Sequence, residues 1–183
     1  MSTYKPHYAC FKCRKTFKRR LMIDIARDEA YSKDWQDSPA KCPECGSLMA
    51  NMGLDFESPK KNDKKAWQHV ENLYETGISF HSCGCTGPGY IPKDKEALLV
   101  LLKKLHKDYI EQRRFWSNRV EPKTASEEAK DREMNAKFLY SLPRKFIYGT
   151  KRNKKRDIKK AVVYWTDRTK QIEQYINGLS AKN

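Results

Sequence analysis

Apolar side chains fall into their most regular period near the C-terminus, where Ile158, Val162, Trp165, Thr169, Ile172, Ile176 and Leu179 recur at alternating steps of four and three residues. That spacing keeps one stripe of a helix facing one way, and it predicts a helix over residues 157–179 with a heptad-like seam that frays at Gly178. Such a seam packs either against the chain's own helices or against a second copy, which would make a homo-oligomer. Upstream, Leu98, Leu101, Leu102, Leu105, Tyr109 and Trp116 mark the stripe of another helix, opened by Pro92 or Asp94. It ends at Glu121-Pro122, because the residue before proline avoids helical angles. Thr124 or Ser126 then opens a further helix to about Ser141, with Glu127 or Glu128 placed to cap it and a thin stripe of Ala129, Ala136 and Leu139. Pro143 closes it.

The N-terminal half has shorter periods. Trp67, Val70, Leu73 and Tyr74 predict a short amphipathic helix with Gly77 at its C-cap, and His69, off that stripe, reads as a surface histidine. The lysine-rich stretch before it, residues 58–65, reads as a loop. Strands are expected to enter and leave the Cys10–Cys13 segment. Residues 21–41 begin with Leu21, Met22, Ile23 and Ile25 and then turn polar, which fits a strand followed by a short helix or turn.

Four cysteines change the picture. Cys10 and Cys13 form one C-x-x-C pair and Cys42 and Cys45 a second, with 28 residues between the pairs. Each pair bends the backbone so that two sulfurs converge, and two pairs complete the tetrahedron that zinc prefers, so one structural zinc is expected. Pro43 and Gly46 supply the restricted and permissive backbone angles such a turn needs. The paired knuckles, over residues 8–47, resemble those of zinc-ribbon proteins, a broad group that includes ribosomal proteins and transcription factors. The resulting fold class is α+β: a small zinc-ribbon or treble-clef-like β module over residues 1–57, a linking segment with a short helix over 58–92, and a basic helical hairpin over 93–183. Tyr8, Phe11 and Phe17 around the first knuckle read as a miniature core over the metal, since a module this small must find apolar cover.

His81, Cys83 and Cys85 alternate, so that a strand would send all three to one face. They offer only three ligands at a different spacing. Two small buried thiols in a glycine-permitted loop explain them without a second metal. A catalytic cysteine there has no identifiable base and orienter beside it, although His81 is a conceivable partner.

Charge points to a function. Of 183 residues, 38% are hydrophobic and 33% charged, and the net charge is +15. Residues 93–183 hold 24 Lys/Arg against 12 Asp/Glu, so most of the excess lies far from the cysteines. A balance this basic is the footprint of a protein that contacts polyanions. No run of 18 or more apolar residues supports a membrane span. The opening residues lack an apolar signal region, and a cytoplasmic protein is expected. Six cysteines in such a chain read as metal ligands or buried thiols rather than disulfides.

Two basic clusters stand out. Lys12, Arg14, Lys15, Lys18, Arg19 and Arg20 crowd the first knuckle. Arg144, Lys145, Lys151, Arg152, Lys154, Lys155, Arg156, Lys159 and Lys160 face a single acid, Asp157, in a segment expected to be a loop at a helical tip. Phe146 and Tyr148 interleave with the second cluster as candidates for stacking on bases. The expectation is a non-enzymatic RNA-binding zinc protein, a ribosomal component or ribosome-associated factor that contacts rRNA and neighbouring ribosomal proteins. The rivals are a DNA-binding, transcription-associated zinc-ribbon factor and a nucleic-acid-modifying enzyme that uses His81, Cys83 and Cys85. No helix shows the run of Arg, Asn and Gln on one face that the former requires.

Overall fold

A computed structural model of the chain describes residues 5–18, 40–78, 80, 89–150 and 154–181. Most of the expected insertion over 21–41 lies outside the described residues. The chain forms two compact units, Met1–Leu98 and Leu99–Asn183.

The first unit is built on an antiparallel sheet. β1 (His7–Cys10) pairs on one side with β2 (Lys15–Lys18) and on the other with β3 (Ala50–Gly53). Cys10 faces Lys15 and Ala9 faces Ala50 across the two ladders. A bulge between His7 and Tyr8 shifts the β1–β3 register, and next to it Met52 and Gly53 are both buried. α1 (Lys64–Glu75) starts at Asp63, whose carboxylate accepts from the Ala66 N–H at 2.9 Å. The helix stops where expected but one position earlier than a glycine cap would place it: Thr76 is the C-cap, and Gly77, at φ +80°, takes the left-handed angle just beyond. Gly77 and Ile78 then donate back to the carbonyls of Tyr74 and Leu73, which satisfies two of the helix's last acceptors.

α1 is part of the first unit's core. Trp67 and Val70 pack with Ala9, Ala50, Met52 and Phe56, and Phe11 and Phe80 lie against them. Phe11 sits edge-on to Trp67 at 6.4 Å, so the knuckle's aromatic is a core residue. Tyr74, grouped by spacing with the stripe, lies at the core's rim, 41% exposed with its ring 5.8 Å from Phe11. His69 also departs from its expected place on the surface. It is half-buried, and its Nε2 lies 2.8 Å from the Pro92 carbonyl, because α1 turns that edge toward the chain leading into the next helix.

The second unit is mainly helical. α2 (Lys95–Ser117) and α5 (Ile158–Ala181) run antiparallel, as three successive contacts show. His106 Nε2 meets Glu173 Oε1 at 2.8 Å, the Tyr109 ring lies 5.2 Å from Trp165, and Trp116 packs with Ala161 and Trp165 in one core. The heptad seam of α5 faces inward, with Trp165, Thr169, Ile172 and Leu179 buried. Thr169 is tolerated there because its hydroxyl donates to the Trp165 carbonyl at 2.7 Å. The helix does not fray at Gly178 but continues to Ala181, since one glycine near an end costs only about 1 kcal/mol against a well-packed stripe.

The helix expected over 124–141 is two. α3 (Ala125–Met134) begins with a full capping box: Thr124 accepts from the Glu127 N–H, and the Glu127 carboxylate accepts from the Thr124 N–H. α3 buries none of its residues, Ala129 included. At Asn135 the backbone leaves the helical region and α4 (Ala136–Ser141) begins, whose Leu139 joins the core. The basic segment after Pro143 is not a loop at a helical tip. It forms a 3₁₀ turn (Arg144–Phe146) and an antiparallel hairpin of β4 (Ile147–Gly149) and β5 (Lys154–Arg156). Ile147 and Tyr148 favour an extended backbone, and the Asp157 N–H donates to the Phe146 carbonyl to close the hairpin's base.

Candidate metal centre and basic surface

The two cysteine pairs converge in the first unit. The first pair lies at the β1–β2 turn, and the second follows Lys41, which bridges to Leu48. The turns use the same device. Arg14 and Gly46, each just after the second cysteine of its pair, take positive φ of 51° and 70°. Gly46 does so freely, whereas Arg14 pays a steric cost and is held by an Nε–H bond to the Lys61 carbonyl at 3.1 Å. In the first turn the Cys13 N–H points at Cys10 Sγ, 3.5 Å away. In the second the Gly46 N–H donates to the Cys42 carbonyl at 2.8 Å.

All four sulfurs lie within 4.8 Å of one another, and Cys10 Sγ is 3.6 Å from Cys45 Sγ. A tetrahedral centre with metal–sulfur bonds of about 2.3 Å has sulfur–sulfur edges of about 3.8 Å, so the cluster is close to the size a metal ion demands. Cys10 and Cys42 are buried, and Cys13 and Cys45 half-buried. Without a cation these thiols hold protons unequally. Burial pushes the Cys10 thiol up, hydrogen bonding with Cys45 and then burial push Cys13 up to about 12, and bonds from the Ser47 hydroxyl and N–H bring Cys45 down to about 6. Cys45 ionises more readily while Cys10 and Cys13 resist, as expected when negative charge cannot accumulate without a positive ion. Four protein ligands would fill a tetrahedral ion, leaving no position for substrate or water. The site can therefore hold a metal and order the module around it.

The basic residues of the first cluster divide by role. Lys15 forms an ion pair with Glu44, which links the first turn's outgoing strand to the second pair. Arg14 is engaged with Lys61 as described, and Lys12 is exposed. Lys18 is exposed at the end of β2, while Arg19 and Arg20 lie outside the described residues. Spacing alone could not separate a lysine that ties the two knuckles together from one that faces solvent.

The second cluster is sorted by the hairpin. Tyr148 and Lys155 are direct cross-strand partners, both exposed, and Tyr148 leaves more than half of its surface open (56%). Arg144, Lys145 and Lys159 are also exposed, with the Lys145 ammonium 5.1 Å from the Phe146 ring centre. Phe146 itself turns inward, half-buried against the core and 5.4 Å from Tyr164. Of the two aromatics considered for stacking, only Tyr148 presents a free face. Lys160 pairs with Asp157 at 3.1 Å. The backbone places Lys154 opposite Gly149, and Lys151 and Arg152 lie outside the described residues, as do His81, Cys83 and Cys85.

Residues that sequence spacing did not single out act electrostatically on Arg156: Arg119 and Asp131, joined to each other by two parallel bonds, together with Tyr140 and Arg132. Among the described residues no helix is long and apolar enough to cross a membrane. Comparison of the chain with protein-family models, curated proteins and solved structures finds no match.

Proposed function

We propose that this chain is a non-enzymatic RNA-binding protein in which a zinc-ribbon or treble-clef-like module is joined to a basic helical unit. The observation that carries this reading is the outward face of the β4–β5 hairpin, where exposed Tyr148 stands directly across from exposed Lys155, in a segment that also exposes Arg144, Lys145 and Lys159. An aromatic face bordered by cations is what an unstacked nucleotide needs: the ring stacks on the base while ammonium and guanidinium groups neutralise adjoining phosphates. Bases splayed in this way are common in folded RNA and rare in a DNA duplex. Basic charge carried on separate segments also fits a folded RNA surface, and ribosomal RNA, bound as a component or associated factor in the cytoplasm, is the leading partner. Zinc suits the cysteine cluster because four soft thiolates in a tetrahedron favour it.

The reading is tested by sedimentation of native lysate at low and high salt, followed by crosslinking in cells and sequencing of the bound RNA. Co-migration with ribosomal particles that salt weakens, together with enrichment of rRNA crosslinks at the hairpin, is the expected result. A protein that stays at the top of the gradient in both conditions and crosslinks to no RNA would overturn it. Metal analysis of the purified chain is expected to give about one zinc per molecule.

A further inference from the structure

Arg156 is unlike the other cations of the basic segment. Its cross-strand partner is Ile147, which packs against the core of the second unit. Cross-strand partners share a face, so Arg156 points to the inner side of the hairpin while Tyr148 and Lys155 point out. It is accordingly half-buried, and its Nε is fully buried with no hydrogen-bond partner.

The carboxylate that acts on it, Asp131, is already committed. Asp131 Oδ1 accepts from Arg119 Nη1 at 3.0 Å and from Asn135 Nδ2 at 2.8 Å, and Oδ2 accepts from Arg119 Nη2 at 2.7 Å. Burial, then the nearby Arg119 charge, push the Arg156 guanidinium below the usual arginine range, with Asp131 and Tyr140 opposing and Arg132 adding to the push. Arginine nevertheless remains a cation at neutral pH. A partly desolvated cation with a spare donor, acted on by other guanidiniums and with the neighbouring Asp131 carboxylate in use, lacks an anion.

We infer that Arg156 is the anchor of an oxyanion site on the inner side of the β4–β5 hairpin, and that a phosphate group is its ligand. A phosphate presents acceptor oxygens that match the guanidinium's planar fork, and it relieves the repulsion among Arg156, Arg119 and Arg132. The exposed lysines of the hairpin then steer a polyanion, and Arg156 fixes one phosphate of it. Only the source of that phosphate, an RNA backbone rather than a free ion, rests on the function proposed above.

The test uses the full, metal-loaded chain as wild type, Arg156→Met and Arg156→Lys, with two probes: inorganic phosphate and a single-stranded oligoribonucleotide. In chloride buffer Arg156→Met is expected to melt at or above the wild-type temperature, because no pair is lost. A fall of several degrees would make Arg156 a structural residue and sink the inference. Phosphate at matched ionic strength is expected to raise the wild-type melting temperature, to move Arg156→Lys less, and to leave Arg156→Met unchanged. The oligoribonucleotide is expected to bind Arg156→Met about tenfold to a hundredfold more weakly, with the salt slope reduced by about one. A response of either probe that depends on Arg156 sustains the site. If phosphate responds through Arg156 but the oligoribonucleotide does not bind wild type, the oxyanion site holds and the RNA reading fails. If the oligoribonucleotide responds through Arg156 and phosphate does not, the polymer is the source. If the oligoribonucleotide binds and neither probe distinguishes Arg156→Met from wild type, the RNA reading holds and the oxyanion site is refuted.

Discussion

Arg119 and Asp131 are joined by two parallel hydrogen bonds of 3.0 and 2.7 Å, with only 5% and 15% of their side chains exposed. The pair ties the segment that follows α2 to α3, a helix that buries none of its own residues. Arg119 also lies 5.3 Å from the Phe115 ring centre and 5.5 Å from that of Trp116, so two adjacent rings support its planar group. α3 thus has little besides its capping box and this pair to hold it in place.

Asp131→Asn is expected to destabilise the second unit by about 3 kcal/mol, because it leaves a buried guanidinium without its counter-charge. The effect should depend on pH with a definite sign. Arg119, then the Asn135 amide, hold the Asp131 carboxyl below the usual carboxylate range. Its contribution is therefore complete above about pH 4, the unfolded value, and is lost as pH falls through the lower folded value. Urea unfolding of wild type and Asp131→Asn should differ at pH 7 and converge in strong acid. A gap unchanged at low pH would mean that the ion pair is not the source.

Much of the architecture is legible before any coordinates, and the reasons differ by element. The α5 seam is readable because seven positions repeat one geometric rule, and four of them, Trp165, Thr169, Ile172 and Leu179, are buried. Thr124 and Glu127 are readable as a cap because that motif is local. The two cysteine pairs are readable as one site despite the long stretch between them, because metal geometry restricts the ligands more than the chain does. The hairpin at 147–156 is hidden because its strands are three residues each, too short for alternation to rise above a run of lysines and arginines. The pairings of Lys15 with Glu44 and of Arg119 with Asp131 are long-range, and nothing local distinguishes those residues from solvated ones. That is why the first basic cluster loses members on folding while Arg156 gains a special position.

Removal of the metal is expected to unfold the first unit, since its sheet is three short strands and its core is small. Binding should release protons from the thiols, among them those of Cys10 and Cys13, which are raised, with Cys45, brought down to about 6, contributing least. Apparent zinc affinity should therefore rise with pH from 6 to 8. Calorimetric titration in buffers of differing ionisation enthalpy reads the proton count directly. No proton release at pH 7, or a Cys10→Ser chain that binds as tightly as wild type, would contradict a thiolate centre.

Gly46→Ala isolates the cost of the second turn's backbone. A β-carbon there would meet nothing within 4 Å, so any penalty comes from φ +70° alone. The expected loss is about 1–2 kcal/mol, with Gly46→Asn less damaging because asparagine tolerates the left-handed region. Thermal unfolding of the metal-loaded chain checks both. An alanine variant as stable as wild type would show that the turn relaxes to another backbone shape.

The two aromatics of the basic segment should separate binding from stability. Phe146 lies against the second unit's core and beside Tyr164, so Phe146→Ala is expected to cost about 2–3 kcal/mol of stability, at or below the lower end of the range for a fully buried phenylalanine. Tyr148 points outward opposite Lys155, and its removal opens no cavity. Tyr148→Ala should leave the melting temperature unchanged while weakening an oligoribonucleotide by about 1–3 kcal/mol, the worth of one stacked base. Tyr148→Phe should retain most of that affinity, because stacking uses the ring and not the hydroxyl. The salt slope should stay constant in both Tyr148 variants, since neither removes a cation. If Tyr148→Ala binds RNA as wild type does, the hairpin's contribution is charge alone, and base stacking drops out of the mechanism.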